Sequence, residues 1–142
     1  MADPFDLQRF VDAQEPIFET VLAELRAGRK RTHWVWFVFP QLRGLGHSAT
    51  ATRYGIGSRA EAVAYLEHDV LGARLRQCAR LLTGLEETAA EAVMGPVDAM
   101  KLRSSMTLFA AVADDDRDFT EVLQKYYDGE PDPRTLELLR TG

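Results

Sequence analysis

Two stretches of this 142-residue chain concentrate side chains able to do chemistry. The first enters through Lys30, Arg31, Thr32 and His33, runs through Trp34-Val35-Trp36-Phe37-Val38-Phe39-Pro40-Gln41, and leaves by Leu42-Arg43-Gly44-Leu45-Gly46-His47-Ser48. An ammonium and an imidazole at its entrance can grip a phosphate or carboxylate, and the Gly44-Leu45-Gly46 turn can offer backbone N–H groups to the same anion. Trp34 and Trp36 have faces that can stack on a base or sugar, although their apolar neighbours assign at least one of them to the core. The second stretch follows Pro96. At ~100° per residue Asp98, Lys101 and Ser105 fall on one helical stripe, with Ser104 at its edge and Leu102, Met106 and Phe109 beside it. Such a stripe is either a solvated face with an Asp98–Lys101 pair or the wall of a pocket in which Lys101 meets an anion and Ser104 or Ser105 donates hydrogen bonds.

Other chemistries find little support. Gly46-His47-Ser48-Ala49-Thr50 matches half of a nucleophile elbow, but Thr50 stands where a glycine is needed and no strand-turn-helix surrounds it. His33, His47 and His68 are dispersed, with no accompanying Cys-x-x-Cys or His-Glu-x-x-His, so no metal site is expected. The glycines form neither a dinucleotide-binding fingerprint nor a P-loop, and no cofactor is expected. Cys78 lies on an apolar helical face, where a thiol is a small inert hydrophobe. Glu24 and Asp98 are the candidate acid-base carboxylates.

The elements that must position these residues read as helical. Asp3 or Asp6 can cap a helix carrying Leu7, Phe10 and Val11, and Pro16 suits the first turn of one carrying Phe18, Val21, Leu22 and Leu25, stopped by Gly28. Gly44, Gly46, Gly55 and Gly57 mark an irregular connection. Ser58 and Glu61 form a capping box, a new helix begins near Asp69 and ends at Gly84, and Thr88 with Glu91 repeats the capping pattern. Pro96 opens a helix running towards Ala113, Asp114-Asp115-Asp116 break it, Gly129 closes the next, and Asp132-Pro133 opens the last. The aromatic run fits a buried strand as well as a buried helix. No second segment reads clearly as a strand to pair with it, Thr32 can cap it and Pro40 can end it, so a short helix is expected. The fold class is therefore all-α, a single non-repeating domain over residues 1–142 with about seven or eight short helices.

With 46% hydrophobic residues the chain can bury one core without disulfides or metal, and its lone cysteine suits a reducing, cytoplasmic setting. A net charge of -5, with only the cluster from Arg26 to Arg31 basic, argues against nucleic acid as a partner. The longest apolar run, Trp34 to Phe39, is far short of the ~20 residues that span a bilayer, and the acidic start lacks a signal-peptide pattern, so a soluble protein is expected.

Taken together, the blocks Leu7-x-Arg9-Phe10-x-x-Ala13-Gln14, Lys30-x-x-His33-Trp34-x-Trp36-Phe37-x-Phe39-Pro40-Gln41-Leu42-x-Gly44-Leu45-Gly46-x-Ser48, Tyr65-Leu66-x-His68-x-Val70-Leu71-Gly72-x-Arg74-Leu75 and Asp98-x-x-Lys101-Leu102-x-Ser104-Ser105-Met106-Thr107-Leu108-Phe109 closely resemble the bacterial family called domain of unknown function 1810. The resemblance covers nearly the whole chain and implies a compact, mainly helical domain without an established activity. Members are sometimes labelled calpastatin-like, which implies protease inhibition by a disordered segment, whereas this chain reads as globular. The pattern is also similar, by analogy alone, to small helical domains that handle ADP-ribose derivatives. The expected function is binding of a small anionic ligand, nucleotide-like or sugar-phosphate-like, by Lys30, His33, Trp34, Gln41, Ser48, Lys101, Ser104 and Ser105. The alternatives are a protein-interaction module and a hydrolase acting on an ADP-ribose-type metabolite.

Overall fold

The structure, a computed structural model, describes residues 2–141; Met1 and Gly142, the ends of the expected domain, lie outside the described residues. Ten helices follow one another among them: α1 (Gln8–Gln14), α2 (Phe18–Ala27), α3 (Val35–Val38), α4 (Ala49–Arg53), α5 (Arg59–Glu67), α6 (Leu71–Thr83), α7 (Ala90–Met94), α8 (Pro96–Val112), α9 (Arg117–Tyr127) and α10 (Pro133–Thr141). The all-α class holds, and the count exceeds the expected seven or eight because α3, α4 and α7 are pieces of four or five residues. Among the described residues no helix is long and apolar enough to cross a membrane.

The helix α8 is the axis of the fold. Every residue from Ser104 to Phe109 is buried, so this segment has no solvent face and must be covered on all sides. Helices α9, α7, α5, α10 and α3 provide that cover, while α6 joins α9, α5 and α2. Phe109 meets Tyr65 of α5 and Phe119 of α9 at ring-centroid distances of 5.3 and 5.9 Å, linking three helices through one aromatic chain. Each fully buried aromatic of this kind contributes about 2–3 kcal/mol by burial alone.

The aromatic run becomes α3, one turn of helix with Val35 and Val38 buried, flanked by the buried Trp34 and Phe39 at its two ends. Its chain ends need partners, because a short buried helix leaves most of its backbone groups unpaired. Gln14 of α1 supplies one: its side-chain amide donates to the Phe37 carbonyl at 2.6 Å and to the Tyr65 hydroxyl at 3.1 Å. Thr32, expected as the N-cap, is not. Trp34 occupies that position without a side-chain cap, and the Thr32 hydroxyl donates instead to Glu24 at 2.7 Å.

Other helix starts divide in the same way. Ser58 accepts from the Glu61 backbone N–H at 3.1 Å as its capping box requires, while the Glu61 carboxylate reaches one residue further back to Gly57. Thr88 does not cap α7, whose N-cap is Ala89 without a side-chain bond; just ahead of it Glu87 accepts from the backbone N–H groups of Thr88 and Ala89. The glycine-marked connection contains α4, capped by Ser48, and an isolated parallel bridge between Leu42 and Ile56.

Candidate functional site

The segment leading into α3 is fixed from below by a single carboxylate. Glu24, on α2, is 8% exposed and accepts four hydrogen bonds: from the backbone N–H groups of Arg31 and Thr32 at 2.7 and 3.1 Å, from the Thr32 hydroxyl at 2.7 Å, and from the Trp34 indole at 3.0 Å. Desolvation pushes its carboxyl up, but the donors from Arg31, Thr32 and Trp34 together outweigh burial and hold it at about 2. A group so tightly ionised and so fully occupied is an anchor, not a general base, which removes Glu24 from the acid-base candidates.

From this anchored segment Lys30 reaches α8. Its ammonium pairs with Asp98 at 2.7 Å, and Lys101 approaches the other oxygen of the same carboxylate at 3.6 Å. Asp98 thus joins the two lysines of the two chemically dense stretches. Lys101 also lies 4.4 Å from the centre of the Trp36 ring, and Lys30 lies 5.1 Å from that of Trp34, so each cation rests on an indole face.

Beside Lys101 a cleft of about 230 Å³ opens between α8, the connection after α3 and the start of α10. Gln41, Leu45 and Gly46 form one wall, Val97, Met100, Lys101 and Ser104 the second, and Asp132 and Arg134 the third. The Asp132 carboxylate is committed as the cap of α10: one oxygen accepts from the Thr135 backbone N–H at 3.0 Å and the Thr135 hydroxyl at 2.5 Å, with the Ser104 hydroxyl at 3.3 Å. Ser104 divides its single proton between Asp132 and the Met100 carbonyl at 3.2 Å, leaving its lone pairs as what it can offer a ligand. By contrast, the side chains of Gln41, Lys101 and Arg134 make no hydrogen bond to any described residue, and the carboxylate nearest Lys101 lies beyond hydrogen-bond reach at 3.6 Å. The walls therefore offer an amide, an ammonium, a guanidinium and the second oxygen of Asp132, together with apolar surface from Leu45, Val97 and Met100.

Of the eight residues expected to share a pocket, Gln41, Lys101 and Ser104 line this cleft. Lys30 stands behind it, tied through Asp98. Trp34 has no face to present: it is 1% exposed, with its indole N–H spent on Glu24. Ser105 is wholly buried, and its hydroxyl has no hydrogen-bond partner. His33 is exposed outside the cleft lining, and Ser48 is spent on capping α4 through the Ala51 backbone N–H at 3.1 Å. The Gly44-Leu45-Gly46 turn contributes Leu45 and Gly46 to the wall and no phosphate cradle. Sequence reasoning overlooked Asp132 and Arg134. Their only signal was the helix start at Asp132-Pro133, which says nothing about where that helix docks.

A hollow of about 360 Å³ sets Arg59 and Arg140 beside Leu136 and Leu139 without a hydrogen bond or ion pair to any described residue, and two others hold polar groups largely committed within the protein. One of about 340 Å³ is walled by Tyr126, Tyr127 and Arg103, but both hydroxyls donate to main-chain carbonyls, and Arg103 donates to the carbonyls of Glu130 and Pro131. Another, of about 500 Å³, is flanked by Arg9 and Arg43. Arg9 there bonds four main-chain carbonyls and the Glu61 carboxylate, and Arg43 bonds the carbonyls of Thr52 and Gly55. Burial pushes the Cys78 thiol up to about 12, as an inert core position requires. No cluster of three or more metal-binding side chains occurs among the described residues.

The family model described as "Protein of unknown function (DUF1810)" matches residues 4–139. The chain is also similar to the conserved hypothetical protein Rv1873 from Mycobacterium tuberculosis, known from a crystal structure. The two are 57% identical, with a TM-score of 0.96 over 97% of this chain and 99% of that one. No curated protein matches the chain.

Proposed function

Because the chain belongs to the DUF1810 family of proteins of unknown function, we propose from its geometry alone that it binds a small anionic metabolite in the Lys101 cleft. One observation carries this reading. Here Gln41, Lys101 and Arg134, an amide and two cations from three separate segments, surround one space without a hydrogen bond to any described residue, a mixture that the hollow beside Arg59 and Arg140 lacks. Two cations over a partly apolar floor suit an anion attached to a short carbon skeleton. The volume of about 230 Å³ lies below the range of drug-sized ligand pockets, roughly 300–1,000 Å³, and favours a sugar-phosphate-sized ligand over a nucleotide. Asp98 is paired with Lys30, and Asp132 caps α10 through one of its oxygens, so both nearby carboxylates have a structural role, which supports binding ahead of hydrolysis.

A second reading rests on the rim. Val97 and Met100, at 64% and 72% exposure, are the exposed large hydrophobic side chains of the described residues, and both border the cleft. They suit a partner protein that seats an acidic side chain between Lys101 and Arg134.

Thermal shift separates the two. A ligand at a hundredfold excess over its Kd stabilises a folded protein by about 2.7 kcal/mol. Glucose 6-phosphate or glycerol 3-phosphate is expected to raise the Tm of wild type, and Lys101→Ala and Arg134→Ala to abolish the rise. Absence of a rise with either compound, or equal rises in the two variants, rejects the metabolite reading.

A further inference from the structure

The Glu24-anchored segment has a second, outward side that the cleft does not use. Contacts alternate along it. Lys30 and Trp34 turn inward, to Asp98 and the core, the exposed Thr32 keeps its hydroxyl on Glu24, and the Lys30 backbone N–H is fixed to the Val93 carbonyl at 2.7 Å. Arg29, Arg31 and His33, the residues between, are exposed, and their side chains make no hydrogen bond or ion pair within 4.0 Å to any described residue. Arg26, exposed in the last turn of α2, adds a third unpaired guanidinium. Leu85 packs beside Gly28, yet neither Glu86 nor Glu87 after it forms an ion pair with these cations, and Glu87 is occupied at the start of α7.

A chain of net charge -5 thus holds three unpaired guanidiniums and an imidazole on a short segment whose backbone is pinned at several points. Like charges held together repel, and an oppositely charged partner relieves that repulsion without any ordering of the loop. We infer that Arg26, Arg29, Arg31 and His33 form a docking strip for an extended acidic segment of a partner protein. An extended acidic partner, in which alternate side chains recur every ~6–7 Å, can bring several carboxylates to these cations at once. Each guanidinium offers a planar fork that a carboxylate accepts in two hydrogen bonds. Single-stranded nucleic acid, the other polyanion, fits less well. It needs an aromatic platform, and the nearest indoles are spent, Trp34 in the core and Trp36 against Lys101.

Fluorescence anisotropy of a labelled octapeptide of alternating Glu and Ser tests the strip, with the Gln-Ser peptide and octauridylate as comparators. Saturable binding of the acidic peptide alone is expected. It should weaken at least tenfold in Arg29→Gln/Arg31→Gln and fall as salt rises, while Tm is not lowered because neither guanidinium makes a hydrogen bond or ion pair to any described residue. Lys101→Ala should bind the peptide as wild type does, which separates this strip from the cleft. Failure of the acidic peptide to bind saturably, equal binding by the double variant, or tighter binding of octauridylate overturns the proposal.

Discussion

Glu24 converts a local hydrogen-bond pattern into a pH-dependent stability that can be worked out in advance. Its carboxyl falls from an ordinary 4.5 to about 2 in the folded protein, and a shift of that size corresponds to about 3 kcal/mol at 1.36 kcal/mol per unit. The folded value is the depressed one, so the contribution is complete above pH ~4.5, declines as the pH falls, and is gone below about 2. Two substitutions divide the effect. Glu24→Gln can leave its carbonyl facing the backbone N–H groups of Arg31 and Thr32 and the Trp34 indole, all of which converge on one oxygen, while its amide donates to the Thr32 hydroxyl. With a difference that vanishes in acid, it should cost about 3 kcal/mol at pH 7, the whole contribution of the lowered carboxyl. Glu24→Ala strands four donors and opens a void, and should cost at least about 3 kcal/mol. The assay is urea denaturation at pH values between 7 and 2.5. The stability difference between wild type and Glu24→Gln should shrink towards zero at the acid end, a comparison in which every other carboxylate cancels. A difference that stays constant with pH, or a loss under 1 kcal/mol in Glu24→Ala, would refute the anchor.

Two further substitutions probe the packing around the site. Ser105→Ala removes a wholly buried hydroxyl that has no partner, and should be neutral or stabilising by about 0.5–1 kcal/mol in the same denaturation assay; a loss beyond 1 kcal/mol would mean that the hydroxyl is bonded. Gly72→Ala places a methyl 2.0 Å from the Leu66 carbonyl oxygen, where backbone of α5 and not a yielding side chain opposes it. It should cost at least about 3 kcal/mol, measured as a lowered urea midpoint, and a cost under 1 kcal/mol would show that α5 and α6 can separate freely.

Much of the helical skeleton was readable because its signals are local. Pro96 stands at the start of α8, Gly28 ends α2 at a φ of 72°, and Asp132 caps the helix opened by Pro133. Thr32 and Thr88 failed as caps for reasons sequence spacing does not carry: Glu24 from an adjacent helix holds the Thr32 hydroxyl, and the N-cap of α7 falls one residue later, at Ala89, with no side-chain bond. The helix α4 hid in a glycine-rich connection too short in apolar residues to show a period. The site was legible in halves. Residue types marked Lys30, Gln41, Lys101 and Ser104, but the shared Asp98 clasp and the third wall at Asp132 and Arg134 depend on how α2, α8 and α10 pack. Chemical richness also misled at Trp34 and Ser105, where polar atoms on buried residues serve the core.

The two tryptophans provide the most direct test of the cleft, because one adjoins it and the other is sealed in the core. In a nitrogen-15 NMR titration with glucose 6-phosphate, the Trp36 indole and the Gln41 side-chain amide should shift together and saturate, the Trp34 indole should stay in place, and Lys101→Ala should erase the response. Shifts confined to the segment from Arg29 to His33, or none at either Trp36 or Gln41, would contradict a small-anion site beside Lys101.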